Sequence, residues 1–465
     1  MTSPARLTVA EASRLIRDGE LSPVELTGDV LERIEAIDPR LEAYVSIFHD
    51  EALAAASRAE EEIAASGARG PLHGIPVAIK DLYDLGGKPT LAGSRVREGH
   101  VADADSAVVE RLRGAGAVFV GKTVTHEFGT GVTSPPTRNP WDLDRVPGGS
   151  SGGSGAAVAA DLCLMATGTD TAGSIRIPAA ANGVVGLKPT FGRVSRRGIV
   201  PLGWSLDHAG PLTKTVLDAS LVLNAMAGYD PADPSSVDEP VHDLTDGIEG
   251  GVAGLRVGVA RNWFADHVEA YVEEARREAA RVLEGLGASV EEVEVPHLER
   301  RAMKIHSVIL SAEASAYHQP TLRSSPELYG RGTRAFLEAG QLVAAATYLN
   351  AQRARELVRQ GFRQASSACD VILAPALPAT AGEFGARKVR VNEMEEDVTS
   401  AYIRLSIPAN LSGLPALSLP CGFQAGLPLG LQILGRPFDE RTVLRVGHAY
   451  ERASRHHLGL PGLET

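Results

Sequence analysis

Cysteine is nearly absent: Cys163, Cys369 and Cys421 are the only ones in 465 residues, and they lie far apart. Such a set makes neither a disulfide framework nor a zinc cluster. Long apolar runs are missing too. The opening stretch MTSPARLTVAEASRLIRDGE has no apolar core of the signal-peptide kind. No segment reaches the roughly 18 uninterrupted apolar residues that span a bilayer, and the most apolar tract, 156–167, is broken by Asp161. Positive charge falls short of negative, leaving a formal net charge of −12. That balance repels phosphate backbones, although it equally serves solubility. There is no internal repeat and no low-complexity tract. The expectation is a soluble cytoplasmic protein with no nucleic-acid and no membrane partner. Its 44% hydrophobic and 22% charged residues suit a sizeable core.

The first 65 residues read as helices. Ser22-Pro23-Val24-Glu25 places a capping Ser before Pro at the first helical position, with Glu at the third. Thr8 to Glu11 is a second capping box. Apolar residues then recur at Val24, Leu26, Val30, Leu31, Ile34 and Ile37, a helical spacing. Gly74 to Asp81 is a short apolar, β-branched run ending in Lys80 and Asp81, the pattern of a buried strand. A helix (107–115), a strand (117–121) and a long Pro- and Gly-rich loop to Gly155 follow. A β-α-β unit comes next. Its strands are 255–260 and 289–295, and its helical face carries Val268, Tyr271, Val272, Ala275, Ala279, Val282 and Leu286. Residues 371–375 and 416–420 read as further buried strands. This alternation makes the chain α/β. Residues 382–399 are polar and poorly periodic, either a mobile loop near a site or a surface connection.

The most unusual stretch is Gly148-Gly149-Ser150-Ser151-Gly152-Gly153-Ser154-Gly155. A flexible linker does not fit its place between Pro147 and an Ala/Val helix. A phosphate loop would need a GK[ST] ending, which is absent. Residues 149–153 match G-x-S-x-G, but a nucleophile elbow caps an apolar strand, and what precedes Ser151 is the loop Arg138–Pro147. A second segment, Gly168-Thr169-Asp170-Thr171-Ala172-Gly173-Ser174-Ile175-Arg176-Ile177-Pro178, leads small residues into a serine. Backbone N–H groups of Thr171, Ala172, Gly173 and Ser174 can converge there on a developing oxyanion, since little side-chain bulk obstructs the approach. An ordinary glycine-containing turn is the alternative. Asp170 and Arg176 are candidates for an ion pair around Ser174 or for a surface pair. Asp81 is expected to face away from Lys80, because adjacent strand residues point to opposite faces. His126-Glu127 opens like a zinc motif, but residue 130 is Thr130, so HExxH is absent. Asp207-His208 are adjacent and poorly disposed to orient each other as base and partner.

Taken together, the strand ending in Lys80, the GGSSGGSG loop, TDTAGSIRIP, GLKPTFGRVS (186–195) and SLDHAGP (205–211) resemble the amidase signature family. The resemblance runs from the N-terminal helices to Pro420 and is densest from Gly74 to Pro211. It implies one domain, 1–465, with an N-terminal helical segment (1–65), a catalytic region (66–215) and a remaining α/β core (216–465). The implied fold is a large mixed β-sheet covered by helices on both faces. It also implies that Ser174 is the nucleophile, Ser150 the bridging serine at a cis peptide bond, and Lys80 the base. Ser150 stands 70 residues after Lys80 and 24 before Ser174, as in that family. Ser151 and Ser154 fall outside these roles and are assigned structural hydrogen bonds. For Lys80 to act as a base near neutrality its pKa must fall from about 10.4 to about 7–8, which burial can supply by desolvation. No cofactor and no metal are implied. Family members hydrolyse aliphatic, aryl and peptide amides, and some accept esters, ureas and carbamates (urethanes). By analogy the substrate is expected against Gly129, Thr130, Gly131, Ser134, Trp204, Leu377 and Ile403, which are small or apolar and suit an uncharged molecule. The implied partner is a small-molecule amide, ester or carbamate, with room for a homodimer. The stretch 139–148 also resembles glutamine-dependent aminoacyl-tRNA amidotransferase subunits, whereas 312–330 and 374–382 do not.

Overall fold

A computed structural model of the chain describes residues 3–298 and 301–463. In chain order its strands are β1 (Tyr44–Ile47), β2 (Pro76–Lys80), β3 (Val118–Thr123), β4 (Met165–Asp170), β5 (Val185–Lys188), β6 (His208–Thr213), β7 (Arg256–Ala260), β8 (Ser289–Val293), β9 (Val371–Pro375), β10 (Lys388–Val391), β11 (Met394–Asp397), β12 (Ala416–Gln424) and β13 (Leu427–Leu434). Eleven of them form one sheet in the order β1-β3-β2-β4-β6-β5-β12-β13-β9-β7-β8, and β10 and β11 pair separately. The sheet is mixed. β2 runs parallel to β3 and β4, and β7 runs parallel to β8 and β9. The stretch from β4 through β6, β5, β12 and β13 to β9 is antiparallel.

Helices cover both faces. Gly186 on β5 faces Ala179 of the helix Arg176–Asn182: a Cβ added there would lie 2.7 Å from Ala179 Cβ. Leu417, in register with the next residue Leu187, reaches 2.4 Å from the Cβ position of Gly447 in the helix Glu440–Ser454. Neighbouring strand positions point to opposite sides, so these two helices flank the sheet. The central strands β2, β4 and β6 are buried along their whole length. The edge strands β1 and β8 alternate or are largely exposed, and the charged SVEEV of β8 discourages further pairing.

At the N-terminus the capping signals work as read. Thr8 Oγ1 accepts from Glu11 N–H while Glu11 accepts from Thr8 N–H, opening the helix Val9–Arg17. Ser22 accepts from Val24 and Glu25 N–H at the start of Pro23–Leu41. Leu26, Val30, Leu31, Ile34 and Ile37 are buried, each contributing about 1.5–3 kcal/mol. The segment is not wholly helical, however: Tyr44–Ile47 pairs with β3 as the sheet's edge strand. Four residues of alternating exposure carry too little periodicity to separate from the adjoining helices.

Two other expectations change. The helix of the β-α-β unit runs Ala270–Gly285, and Leu286 is exposed while Leu283 takes the buried position. Residues 382–399 are not an irregular loop, because they contain the hairpin β10–β11 and the start of the helix Val398–Ile403. Among the described residues no helix is long and apolar enough to cross a membrane.

Candidate active site

Lys80 ends the buried strand β2, between β3 and β4. Its backbone N–H donates to Thr167 Oγ1 at 2.8 Å, anchoring the strand end to β4. The side chain is fully buried and its Nζ meets three hydroxyls at 2.8 Å each: Ser150 Oγ, Ser151 Oγ and Thr169 Oγ1. Among the described residues it forms no ion pair. Burial pushes the Lys80 amine well below its ordinary pKa, against the weaker opposing pull of Asp170 and Asp207. Lys80 Nζ donates to all three hydroxyls, and Ser151 Oγ passes its own hydrogen to Thr169 O at 3.3 Å.

Asp81 points away, as its place on the strand requires. Lys122 pairs with it at 2.8 Å, both side chains 1% exposed, and Leu91 N–H donates to its carboxylate. A positive charge beside Lys80 is also avoided. Burial pushes His126 down to about 4, Glu127 opposing and Lys80 reinforcing the shift.

The Gly149–Ser150 peptide is cis, as is Pro135–Pro136. Ser150 O accepts from His126 N–H at 3.1 Å and from Ser134 Oγ at 2.9 Å, and Ser134 Oγ in turn accepts from Gly152 N–H at 3.0 Å. The glycine-serine run is only half a loop. Gly152–Ala159 is a helix whose first turn lies against the strands: a Cβ on Gly153 would stand 2.6 Å from Ala43 O and Val124 N. Ser154 Oγ bonds Thr167 O and Thr123 Oγ1 at 2.8 Å, the structural role read for it.

Ser174 follows β4 through a turn in which Gly173 has φ +117°, a conformation closed to most side chains, with the Cβ site also occupied 2.6 Å away by Ser406. The turn is clamped. Asp170 Oδ1 accepts from Gly173 N–H at 2.8 Å and Oδ2 from Ile175 N–H at 3.2 Å. Arg176 grips the same carboxylate at 2.9 and 3.0 Å, with both side chains fully buried. Arg176 also reaches Ser406 O, Gln432 Oε1 and Asn410 Oδ1 at 2.8–3.1 Å. Burial alone would raise Asp170, but Arg176, Lys188 and Asn410 outweigh it and hold the carboxylate well below its usual range. The pair is thus interior and not at the surface.

The Gly173 N–H, one of the four expected oxyanion donors, is spent on Asp170. Among the described residues the N–H groups of Thr171, Ala172 and Ser174 donate to no protein acceptor. Ser174 itself is 5% exposed.

A cavity of about 290 Å³ opens beside the hydroxyl cluster, with Leu82, Gly129, Thr169, Thr171, Leu202 and Trp204 on its wall. A Cβ on Gly129 would lie 3.5 Å from Ser150 Oγ. An apolar groove of about 500 Å³ shares Pro201, Leu202 and Trp204 with it and continues past Ala312 and Tyr348.

The seven expected pocket residues do not gather in one place. Gly129 and Trp204 line the cavity. Thr130 and Gly131 line another, of about 730 Å³. Ser134 is buried beneath Ser150 O, and Leu377 and Ile403 belong to a separate apolar cluster with Val132, Ile177 and Tyr402. Asp207 and His208 share no hydrogen bond. Asp207 accepts from Thr171 Oγ1, Leu202 N–H and Gly203 N–H, whereas His208 Nδ1 donates to Leu206 O at 2.7 Å. Sequence reasoning missed Thr169 and the lysine contact of Ser151. Thr169 sits on the strand that runs parallel to β2, a neighbour that only strand pairing reveals.

The chain matches the amidase family over residues 25–444. The amidase of Pseudomonas putida is 46% identical over 466 aligned residues, covering 100% of this chain and 99% of that protein. A glutamyl-tRNA(Gln) amidotransferase subunit of Carboxydothermus hydrogenoformans is 40% identical over 491 aligned residues, covering 98% of this chain and 99% of that one. The crystal structure of a bacterial aryl acylamidase of the amidase signature family superposes with a TM-score of 0.91 at 28% identity, covering 99% of each chain. The chain belongs to the amidase signature family and is a hydrolase of amide carbon–nitrogen bonds.

Proposed function

We propose that Ser174, Ser150 and Lys80 form the catalytic triad of a small-molecule amidase. A serine hydroxyl is a weak nucleophile until a base takes its proton. Neutral Lys80 draws the proton of Ser150 as Ser150 takes that of Ser174, and Ser174 Oγ attacks the substrate carbonyl. The negative charge that develops on the carbonyl oxygen is met by the N–H groups of Thr171, Ala172 and Ser174. An amide cannot expel an amine anion, so the proton returns through Ser150 to the leaving nitrogen. Water then hydrolyses the acyl group from Ser174 by the same relay. The carrying observation is the 2.8 Å contact from a fully buried, unpaired Lys80 Nζ to Ser150 Oγ.

The substrate in this reading is a small uncharged amide, aryl amides included, with esters and carbamates as further candidates. Two features support it. Leu82, Leu202 and Trp204 supply an apolar wall, and Arg196 and Arg197 on the same cavity are neutralised by Asp233, Asp230 and Glu110. The likeness to an aryl acylamidase points the same way. We read residues 1–465 as one catalytic domain.

Ser174→Ala is expected to abolish hydrolysis of an acyl p-nitroanilide, and a fluorophosphonate is expected to label Ser174 by peptide mapping. Unchanged turnover in Ser174→Ala, or label on Ser151, refutes the assignment. The 40% identity to an amidotransferase component favours a second reading, a glutamine-dependent amidotransferase role for this chain. Ammonia release from glutamine by the isolated protein, with inertness toward anilides, decides for it.

A further inference from the structure

We propose that His306, on the helix Arg301–Ser324, is a positioning residue for amide hydrolysis: by holding the Thr171 carbonyl it turns the Ala172 N–H toward the developing oxyanion. The inference rests on Ser174 being the nucleophile.

The imidazole is 1% exposed and its Nε2 lies 3.0 Å from Thr171 O. A carbonyl only accepts, so Nε2 carries the hydrogen and donates it. Burial lowers His306 to about 4, the Thr171 bond opposing and Arg355 reinforcing the shift, so the ring stays neutral near neutrality and keeps this tautomer. In a trans peptide the C=O and the following N–H point to opposite sides of the chain. Drawing the Thr171 carbonyl back toward the helix therefore directs the Ala172 N–H forward. Ala172 is the least enclosed residue of Thr171–Ser174.

The other two free amides are set in the same way. Asp170 O accepts from Asn410 Nδ2 at 3.1 Å, which directs the Thr171 N–H. Gly173 O accepts from Ile177 N–H at 2.7 Å, which directs that of Ser174. Thr171 is held at its side chain too, where Oγ1 donates to Asp207 Oδ1 at 2.5 Å. Only the Thr171 carbonyl depends on the helix Arg301–Ser324. That helix also packs Leu310 against Gly203 beside Thr171, so its seating and the aim of one oxyanion donor are linked.

The test compares His306→Phe, which fills the space without a donor, with His306→Gln, which restores a side-chain N–H. Acyl p-nitroanilide hydrolysis and inhibition by a trifluoromethyl ketone, which adds to a serine as a tetrahedral adduct, are measured alongside thermal melting. Removing an oxyanion donor outright costs about 10²–10³ in kcat, so misaiming one is expected to cost roughly ten- to a hundredfold. In His306→Phe that loss should fall on kcat with KM within about twofold, and ketone affinity should fall in parallel, the pattern of an interaction made only in the transition state. His306→Gln should recover most of it at a melting temperature equal to that of His306→Phe. Full kcat in His306→Phe, a rise in KM alone, or equal losses in both variants tracking a loss of melting temperature would overturn the proposal. Ser174→Ala separates the two failures. If it still turns over, the triad reading falls and this one with it; if it is dead while His306→Phe is unimpaired, only the positioning role falls.

Discussion

Replacing Lys80 by Met removes the amine while keeping the length and volume of the chain that reaches the hydroxyl cluster. What is lost structurally is three 2.8 Å hydrogen bonds, each worth about 0.5–1.5 kcal/mol net. What is gained is relief from burying a titratable amine, so folding free energy should change by no more than about 2 kcal/mol. Catalysis has no such offset. A positioned base contributes about 10²–10⁴, or about 3–5 kcal/mol of barrier, and Met cannot accept a proton. Lys80→Met should therefore lose kcat by that factor while folding normally. Lys80→Arg should fail as well, because a guanidinium does not deprotonate. The pH profile checks the cause. In the proposed relay the active form is the unprotonated amine, so kcat/KM is expected to fall as pH drops through the folded-state pKa. Because burial puts that pKa well below its ordinary 10.5, the activity limb should lie well to the acid side of pH 10.5. The assay is anilide hydrolysis from pH 5 to 10, with urea denaturation of both variants. Lys80→Met retaining activity within about tenfold of wild type, or an activity limb centred near 10, would refute the reasoning.

Arg176→Met leaves the Asp170 carboxylate buried without its partner and should destabilise the fold by about 3–5 kcal/mol, read as a lower urea midpoint. The double change with Asp170→Asn should recover part of that loss, and strict additivity would speak against the clamp. Burial raises Glu451 from 4.5 to about 8, the Val216 N–H opposing and Asp218 reinforcing the shift. A raised carboxyl binds its proton more tightly folded than unfolded, so its stabilisation is full below about pH 4.5 and is lost as pH rises through about 8. Denaturation at pH 5 and pH 8.5 should show a loss on the order of a few kcal/mol across that window, and Glu451→Gln should flatten it. An unchanged pH slope in Glu451→Gln would refute this assignment.

Much of this molecule was legible before any coordinates. Helix caps, apolar periodicity and the alternation of short apolar runs with helical ones are local properties, and they placed β2, β3, β7, β8, β9 and β12 but not β4, β5, β6 or β13. They failed where four residues made an edge strand at Tyr44–Ile47, and where the hairpin Lys388–Asp397 alternates over only the four residues Lys388–Val391. Lys80, Ser150 and Ser174 stand out in the sequence because unusual residues sit in unusual runs, and the resemblance joins those runs into the proposed triad.

Tertiary structure decided what depends on distance between segments. It placed Thr169 and Ser151 on the Lys80 amine, spent the Gly173 N–H on Asp170, and scattered Ser134, Leu377 and Ile403 away from the cavity. It also brought His306 from a helix 132 residues beyond Ser174 to the Thr171 carbonyl. The physical reason is that a hydrogen bond forms over about 3 Å, whereas a strand advances about 3.3 Å per residue. A chain's own pattern therefore specifies its elements and candidate chemistry, while the pairing of distant strands specifies which donor meets which acceptor.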